Sequence, residues 1–98
     1  MRFEIVLAPE AVRTMKALSA FHRATIRDAL DTHLRHEPAR TPRSRIKRLR
    51  GLSQPQFRLR VDEFRVFYDV SGQEVQVLAI VSKEEAEAWL GEYAQVDT

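Results

Sequence analysis

Apolar and polar positions along this chain repeat with two different periods, and the switches between them mark its elements. Phe3, Ile5 and Leu7 alternate with Arg2, Glu4 and Val6, the period of two that gives a strand at least one buried face. Pro9 suits the first turn of a helix. Val12, Met15 and Leu18 then recur on one side with Ala11 beside them, so a helix is expected from about Pro9 to Leu18. Ser19 reads as the N-cap of a second helix whose apolar stripe is Ile26, Ala29, Leu30 and Leu34. Arg23, Arg27, Asp28 and Asp31 face outward, and the helix ends near His36. Pro38 and Pro42 bracket a polar connection that cannot continue it, so the two helices form a hairpin before the chain returns to sheet.

The segment Ile46–Leu52 is short and basic, and it reads equally as an edge strand or as an extended loop closed by Gly51. After Pro55, Phe57, Leu59 and Val61 alternate with Arg58 and Arg60, which sends the apolar side into a core and both guanidinium groups to the opposite face. Asp62 and Glu63 make a short polar turn into Phe64–Val70, a strand rich in aromatic and β-branched residues, so the two strands should form a hairpin. Beyond the turn Ser71-Gly72-Gln73, Val75, Val77, Ala79 and Val81 alternate with Gln76, Leu78 and Ile80. Apolar residues on both faces mark this strand as central. Ser82-Lys83-Glu84-Glu85 satisfies the S-x-x-E capping box, and Ala86, Trp89, Leu90 and Tyr93 form the stripe of a last helix that must pack on the sheet or on a partner.

The expected class is therefore α+β in the order β-α-α-β-β-β(-α), a helical hairpin packed on a small, mainly antiparallel twisted sheet with a short C-terminal helix. The 98 residues suit a single domain over 1–98, and only the last few look free to fray. A chain of this length buries about two-thirds of its unfolded surface, enough for one compact core. Without cysteine there is no disulfide, zinc ribbon, iron–sulfur site or thiol nucleophile, which fits a reducing compartment and makes the cytoplasm the expected location. The N-terminus lacks a basic region followed by a long apolar run, and no apolar stretch approaches the roughly 20 residues of a membrane span. Neither export nor membrane contact is expected.

Charge is sorted along the chain. Residues 1–39 hold six Lys/Arg against five Asp/Glu, residues 40–65 nine against two, and residues 66–98 one against seven. The net charge of +2 thus hides a middle third at +7 and a last third at −6. Clustered cations repel one another, so such a block reads as a surface for phosphates or for an acidic peptide; the alternative is a solvated face balanced by the acidic last third.

Within the block, Arg58, Arg60 and Arg65 belong to adjacent strands of one hairpin. Residues two apart on a strand lie about 6.5–7 Å from one another on one face, and a residue on the facing strand comes within about 5 Å, close to phosphate dimensions. Arginine is permanently cationic and carries a rigid donor fork, so three together can hold a phosphate and stabilise a pentavalent transition state. The competing structural reading pairs them with Asp62, Glu63, Asp69 or helix carboxylates. Arg40, Arg43, Arg45, Lys47, Arg48 and Arg50 lie beside the Pro-bounded connection and read as an RNA-tracking rim of sequence-independent, salt-sensitive contacts, or as a mobile basic loop.

His33 and His36 stand at i and i+3, but no third ligand lies nearby in sequence, so no metal is expected. Phe57, Phe64, Phe67 and Tyr68 keep the strand period and belong mostly to the core, and Trp89 reads as a packing anchor. No dinucleotide, Walker A, serine-hydrolase or zinc-protease motif is present, and no cofactor is expected.

The strings Arg48-Leu49-Arg50-Gly51, Phe57-Arg58-Leu59-Arg60-Val61 and Phe64-Arg65-Val66-Phe67-Tyr68, in this order of elements, resemble the RelE/ParE toxins of type II toxin–antitoxin systems over about residues 2–82. The resemblance implies a toxin held by a cognate antitoxin. It implies as targets either the ribosome and mRNA, cut as a metal-independent endoribonuclease that inhibits translation, or DNA gyrase, as in ParE-like members. A third implied role is a catalytically inert co-repressor that meets promoter DNA only through the antitoxin complex. By the same resemblance Arg58 and Arg60 stand for the paired basic residues of the cleavage site and Arg65 for the arginine that contacts the phosphate. Lys83 is the fourth candidate, and Arg43, Arg45, Lys47, Arg48 and Arg50 form the RNA-binding rim. The chain departs from the pattern after the last strand. RNA-cleaving members place a basic residue and then a tyrosine or histidine there, whereas this chain has Ser82-Lys83-Glu84-Glu85 with Lys83 as its one cation.

Overall fold

Period-two alternation builds a sheet, and the two helical stripes cover one side of it. The computed structural model describes residues 2–42 and 44–97. Its elements are β1 (Glu4–Leu7), α1 (Pro9–Ala17), α2 (Ala20–Leu34), β2 (Ile46–Arg48), β3 (Leu52–Gln54), β4 (Phe57–Val61), β5 (Phe64–Ser71), β6 (Glu74–Ser82), α3 (Ala86–Tyr93) and β7 (Gln95–Val96). Five strands form one sheet in the order β1-β6-β5-β4-β2, and β3 pairs with β7 in a second. Only β1 runs parallel to its neighbour; the other pairs are antiparallel. This is the expected α+β arrangement, and β6 takes the interior position that its two apolar faces require.

Ala11 and Met15 of α1 and Ile26, Leu30 and Leu34 of α2 close over Phe57, Leu59, Val61, Val66, Tyr68, Val75, Val77 and Ile80. Each large aliphatic side chain fully buried this way stabilises the fold by about 1.5–3 kcal/mol. The hairpin is tied by polar atoms as well. Ser19 Oγ accepts from His22 N at 3.2 Å, the cap that its sequence position implies. Arg23 donates to the Met15 and Leu18 carbonyls at 2.9 and 2.7 Å, satisfying groups that the end of α1 leaves without helical partners. The buried Tyr68 hydroxyl donates to the Pro38 carbonyl at 2.6 Å, fastening the connection after α2 to the sheet.

Three local expectations resolve differently. Ile46–Leu52 is neither one strand nor one loop: β2 ends at Arg48, Gly51 turns the chain at φ +81°, and β3 starts at Leu52. Ser82 does not cap α3, because it is still paired in the sheet opposite Phe64. Its hydroxyl donates to Glu85 Oε1 at 2.8 Å instead, Lys83 N donates to the Glu63 carbonyl, and the helix begins at Ala86. The C-terminal residues are paired too: Val96 lies opposite Leu52, and Asp97 N donates to the Gly51 carbonyl at 2.9 Å.

Alternation leaves Phe67 and Ala79 on the sheet face turned away from the helical hairpin, yet both are fully buried. The cover over Phe67 is α3, whose Trp89 stacks on it at 5.0 Å between ring centroids and 6° between planes. Trp89 Nε1 also donates to Glu10 at the start of α1, at 2.9 Å. The second face is thus divided: α3 covers part of it, and the rest is left to arginine. Among the described residues no helix is long and apolar enough to cross a membrane.

Candidate functional site

The arginines meet because of a tight turn and a strict register. Asp62 takes φ +49°, the left-handed conformation that Asp tolerates better than most residues, and with Glu63 closes a two-residue hairpin loop between Val61 and Phe64. That loop fixes Arg60 opposite Arg65 and Arg58 opposite Phe67. Since Phe57, Leu59 and Val61 all enter the core, Arg58 and Arg60 take the other face, and pairing brings Arg65 there with them. Directly opposed residues have Cβ atoms about 4.5–5.5 Å apart, so the three guanidinium groups converge on one patch.

Two of the carboxylates able to neutralise this patch are engaged elsewhere. Asp69 is buried and accepts from Gln54 Nε2 and Gln56 N, both at 2.8 Å. Glu63 pairs with Lys83 at 3.3 Å. Asp62 offers Arg65 its backbone carbonyl: Arg65 Nη1 donates there and to the Phe64 carbonyl, both at 2.9 Å, which anchors one corner of the guanidinium. Among the described residues neither Arg58, Arg60 nor Arg65 has a carboxylate partner. The structural pairing weighed against a binding surface is not what these side chains do.

Arg58 is the most constrained of the three. Its Nε is buried without a hydrogen-bond partner, a state that costs a typical protein about 1–3 kcal/mol. Arg35 Nε is also buried without a partner, but that guanidinium already meets Asp31 at 2.6 Å and the Phe3 carbonyl at 3.2 Å. Burial, and then the charges of Arg65 and Arg60, push the Arg58 pKa down from its ordinary value. An anion placed between the three would offset both causes at once.

The basic rim divides more sharply. Lys47 lies opposite Arg58 on β2, and Arg60 N donates to the Arg45 carbonyl at 3.0 Å, so Arg45 and Lys47 extend the patch across a third strand. Arg48 does not join them. Its side chain lies 5.4 Å over the Phe57 ring and donates to the Leu49 and Gln56 carbonyls, fastening the chain on either side of β3. Arg50 is exposed in the turn between β2 and β3. Arg43 lies outside the described residues. Lys83 is held by Glu63 at the end of the hairpin.

One residue was not legible as part of a site. His33 lines a cleft with Arg40, Arg45 and Arg60, although spacing alone offered only a metal reading for the histidine. Among the described residues no group of three or more His, Cys, Asp or Glu is placed to hold a metal.

No family model and no curated protein matches the sequence. Solved structures do match the fold. A chain of the RelE–RelB complex from Pyrococcus horikoshii OT3 is similar at TM-score 0.63 and 20% identity, over 85% of this chain and 97% of that one. A chain of the RelBE2 toxin–antitoxin complex from Mycobacterium tuberculosis gives TM-score 0.66 and 20% identity over 85% and 100%. A chain of the YoeB dimer from Staphylococcus aureus gives 0.59 and 17% over 83% and 97%. At such low identity these likenesses show a shared fold alone.

Proposed function

We propose that this chain is the toxin of a type II toxin–antitoxin pair, acting in the cytoplasm as a ribosome-dependent endoribonuclease on mRNA. The observation that carries the reading is Arg58, half-buried and unpaired at Nε beside Arg60 and Arg65. A fold keeps an unpaired cation among other cations when a ligand of opposite charge completes the set. A phosphodiester fits that place. The ribose 2′-oxygen attacks the adjacent phosphorus, the bond to the 5′-oxygen breaks, and the products are a 2′,3′-cyclic phosphate and a free 5′-hydroxyl. Arg58, Arg60 and Arg65 hold the phosphate and stabilise the charge added at the pentavalent stage. Arginine does not serve as the base at neutral pH, so the proton of the 2′-hydroxyl leaves to Glu63, Glu84, Lys83 or a ribosomal group, and the departing 5′-oxygen takes up a proton from water to become the 5′-hydroxyl.

The partner that silences such a surface is a cognate antitoxin with an acidic segment that covers the arginines. This reading draws support from two of the similar folds, which are described as RelE–RelB and toxin–antitoxin complexes. One observation favours a gyrase-directed ParE-like role instead: Lys83, the only cation after β6, is tied to Glu63. Inducible expression separates the two. Translation arrest with cut transcripts, lost in Arg65→Lys, supports the ribonuclease. An SOS response with cleavable DNA–gyrase complexes supports the other target, and unimpaired growth overturns the toxin reading.

A further inference from the structure

The arginine surface does not end at Arg60. The register that places Arg60 opposite Arg65 on one side also places it beside Arg45 on the other, through the backbone bond from Arg60 N to the Arg45 carbonyl. Successive strands lie about 4.8 Å apart, so Arg65, Arg60 and Arg45 form a row of cations across β5, β4 and the approach to β2, roughly 10 Å from end to end. Arg45 and Arg60 open into a cleft of about 600 Å³ against the last turns of α2, where His33, Arg40 and Glu37 complete the charged lining. That volume falls within the roughly 300–1,000 Å³ of small-ligand sites. A smaller recess of about 190 Å³, shared by His33, Arg45, Arg60 and Asp62, continues toward the hairpin turn.

The charges in the cleft are unbalanced. Three arginines and one carboxylate line it, and that carboxylate, on Glu37, is already paired with Arg40 at 3.3 Å. Neither Arg45 nor Arg60 has a carboxylate partner among the described residues. Burial, and then the charge of Arg45, hold the His33 imidazole below its ordinary pKa, so the ring is mostly uncharged near neutrality. The other titratable and charged groups around it are His36, Glu37 and Arg40 on or after α2, Arg60 on β4 and Asp62 in the turn.

We propose that this cleft is a second phosphate subsite, in which Arg45, Arg60 and His33 take the phosphodiester next along a single-stranded RNA from the one held by Arg58 and Arg65. The inference rests on the RNA reading above and adds to it a direction for the strand, from β5 across β4 toward α2. Cations repeated at the strand spacing suit a polymer with one charge per unit, whereas an acidic peptide carries its carboxylates at sequence-dependent intervals. Arg60 is the shared residue, which couples occupancy of the two subsites.

The test is fluorescence anisotropy of the full chain with a labelled 2′-O-methyl oligoribonucleotide, uncleavable because its 2′-oxygen is blocked, of about twelve nucleotides. Arg45 is exposed and gives the sheet only its backbone, so Arg45→Ala keeps the fold. In that variant the affinity is expected to fall about fivefold or more near 0.1 M salt, and the slope of log K against log salt to flatten by about 0.7, the loss of one phosphate contact on a single strand. A dinucleotide with a single phosphate occupies one subsite at a time and is expected to lose less affinity in Arg45→Ala than the long oligonucleotide does. Lowering the pH from about 7.5 to about 5.5 is expected to tighten wild-type binding as His33 becomes charged, and His33→Gln removes most of that gain. If both variants bind the long oligonucleotide with wild-type affinity, salt slope and pH dependence while Arg65→Lys is weakened, the subsite is wrong and the arginine surface stands. If the wild type does not bind RNA at all, both readings fall together. If an oligoglutamate peptide competes in an Arg45-dependent way and RNA does not, the cleft belongs to an acidic protein partner and the proposal is overturned.

Discussion

Arg60 on β4 and Arg65 on β5 face one another directly across a two-residue turn, like charge against like, with no carboxylate between them among the described residues. Such an arrangement costs stability, since like charges opposed on a sheet repel where an opposite pair would attract. Arg60→Glu should therefore stabilise the fold by about 0.2–1 kcal/mol while abolishing toxicity and RNA binding. Urea denaturation checks the first part and induced expression the second; a lower midpoint would show that the repulsion is already relieved within the chain.

The buried Tyr68 hydroxyl reaches the Pro38 carbonyl at 2.6 Å, and burial pushes its pKa up from the ordinary value near 10. Its raised pKa lies on the protonated form, so the folded chain holds that proton more tightly than the unfolded one. The resulting stabilisation is complete below about pH 10 and is lost as the pH climbs toward the folded value. Tyr68→Phe should cost about 1–2 kcal/mol at pH 7 by leaving the carbonyl unpaired, and should also remove this alkaline loss. Thermal melts of both proteins from neutral pH to about pH 11 measure the difference; parallel curves would contradict it.

Trp89 holds the C-terminal helix through the Phe67 stack and the Glu10 bond. Trp89→Ala should cost about 2–3 kcal/mol, below the range for a fully buried tryptophan because this one is only half-buried. Hydrogen exchange should show α3 and β7 losing protection first, with β4 to β6 unchanged. Equal loss across all elements would mean that the C-terminal segment folds as one unit with the sheet.

The legible parts of this fold are those that a single period dictates. Phe57, Leu59 and Val61 could face the core only by sending Arg58 and Arg60 the other way, and the Asp62-Glu63 turn then left one register for Arg65. The parts that could not be read depend on long-range pairing. Nothing near Gln95 and Val96 marks them as a strand, because their partner is Leu52–Gln54, more than forty residues earlier. Ser82 fits a capping box in every local respect and is overruled by its place opposite Phe64. The basic rim looked uniform in sequence, yet one stacking contact with Phe57 takes Arg48 out of it. The cleft at His33 needs α2 and β2 side by side, which no spacing rule supplies.

The central claim is that Arg58 is kept for a phosphate and not for the fold. Arg58→Met tests it most directly, because it removes a buried unpaired donor from a cationic cluster while keeping an unbranched apolar side chain. Chemical denaturation and induced expression on the same variant should give a fold more stable by about 0.5–1.5 kcal/mol and no growth arrest. A destabilised protein that still arrests growth at wild-type abundance would contradict the account.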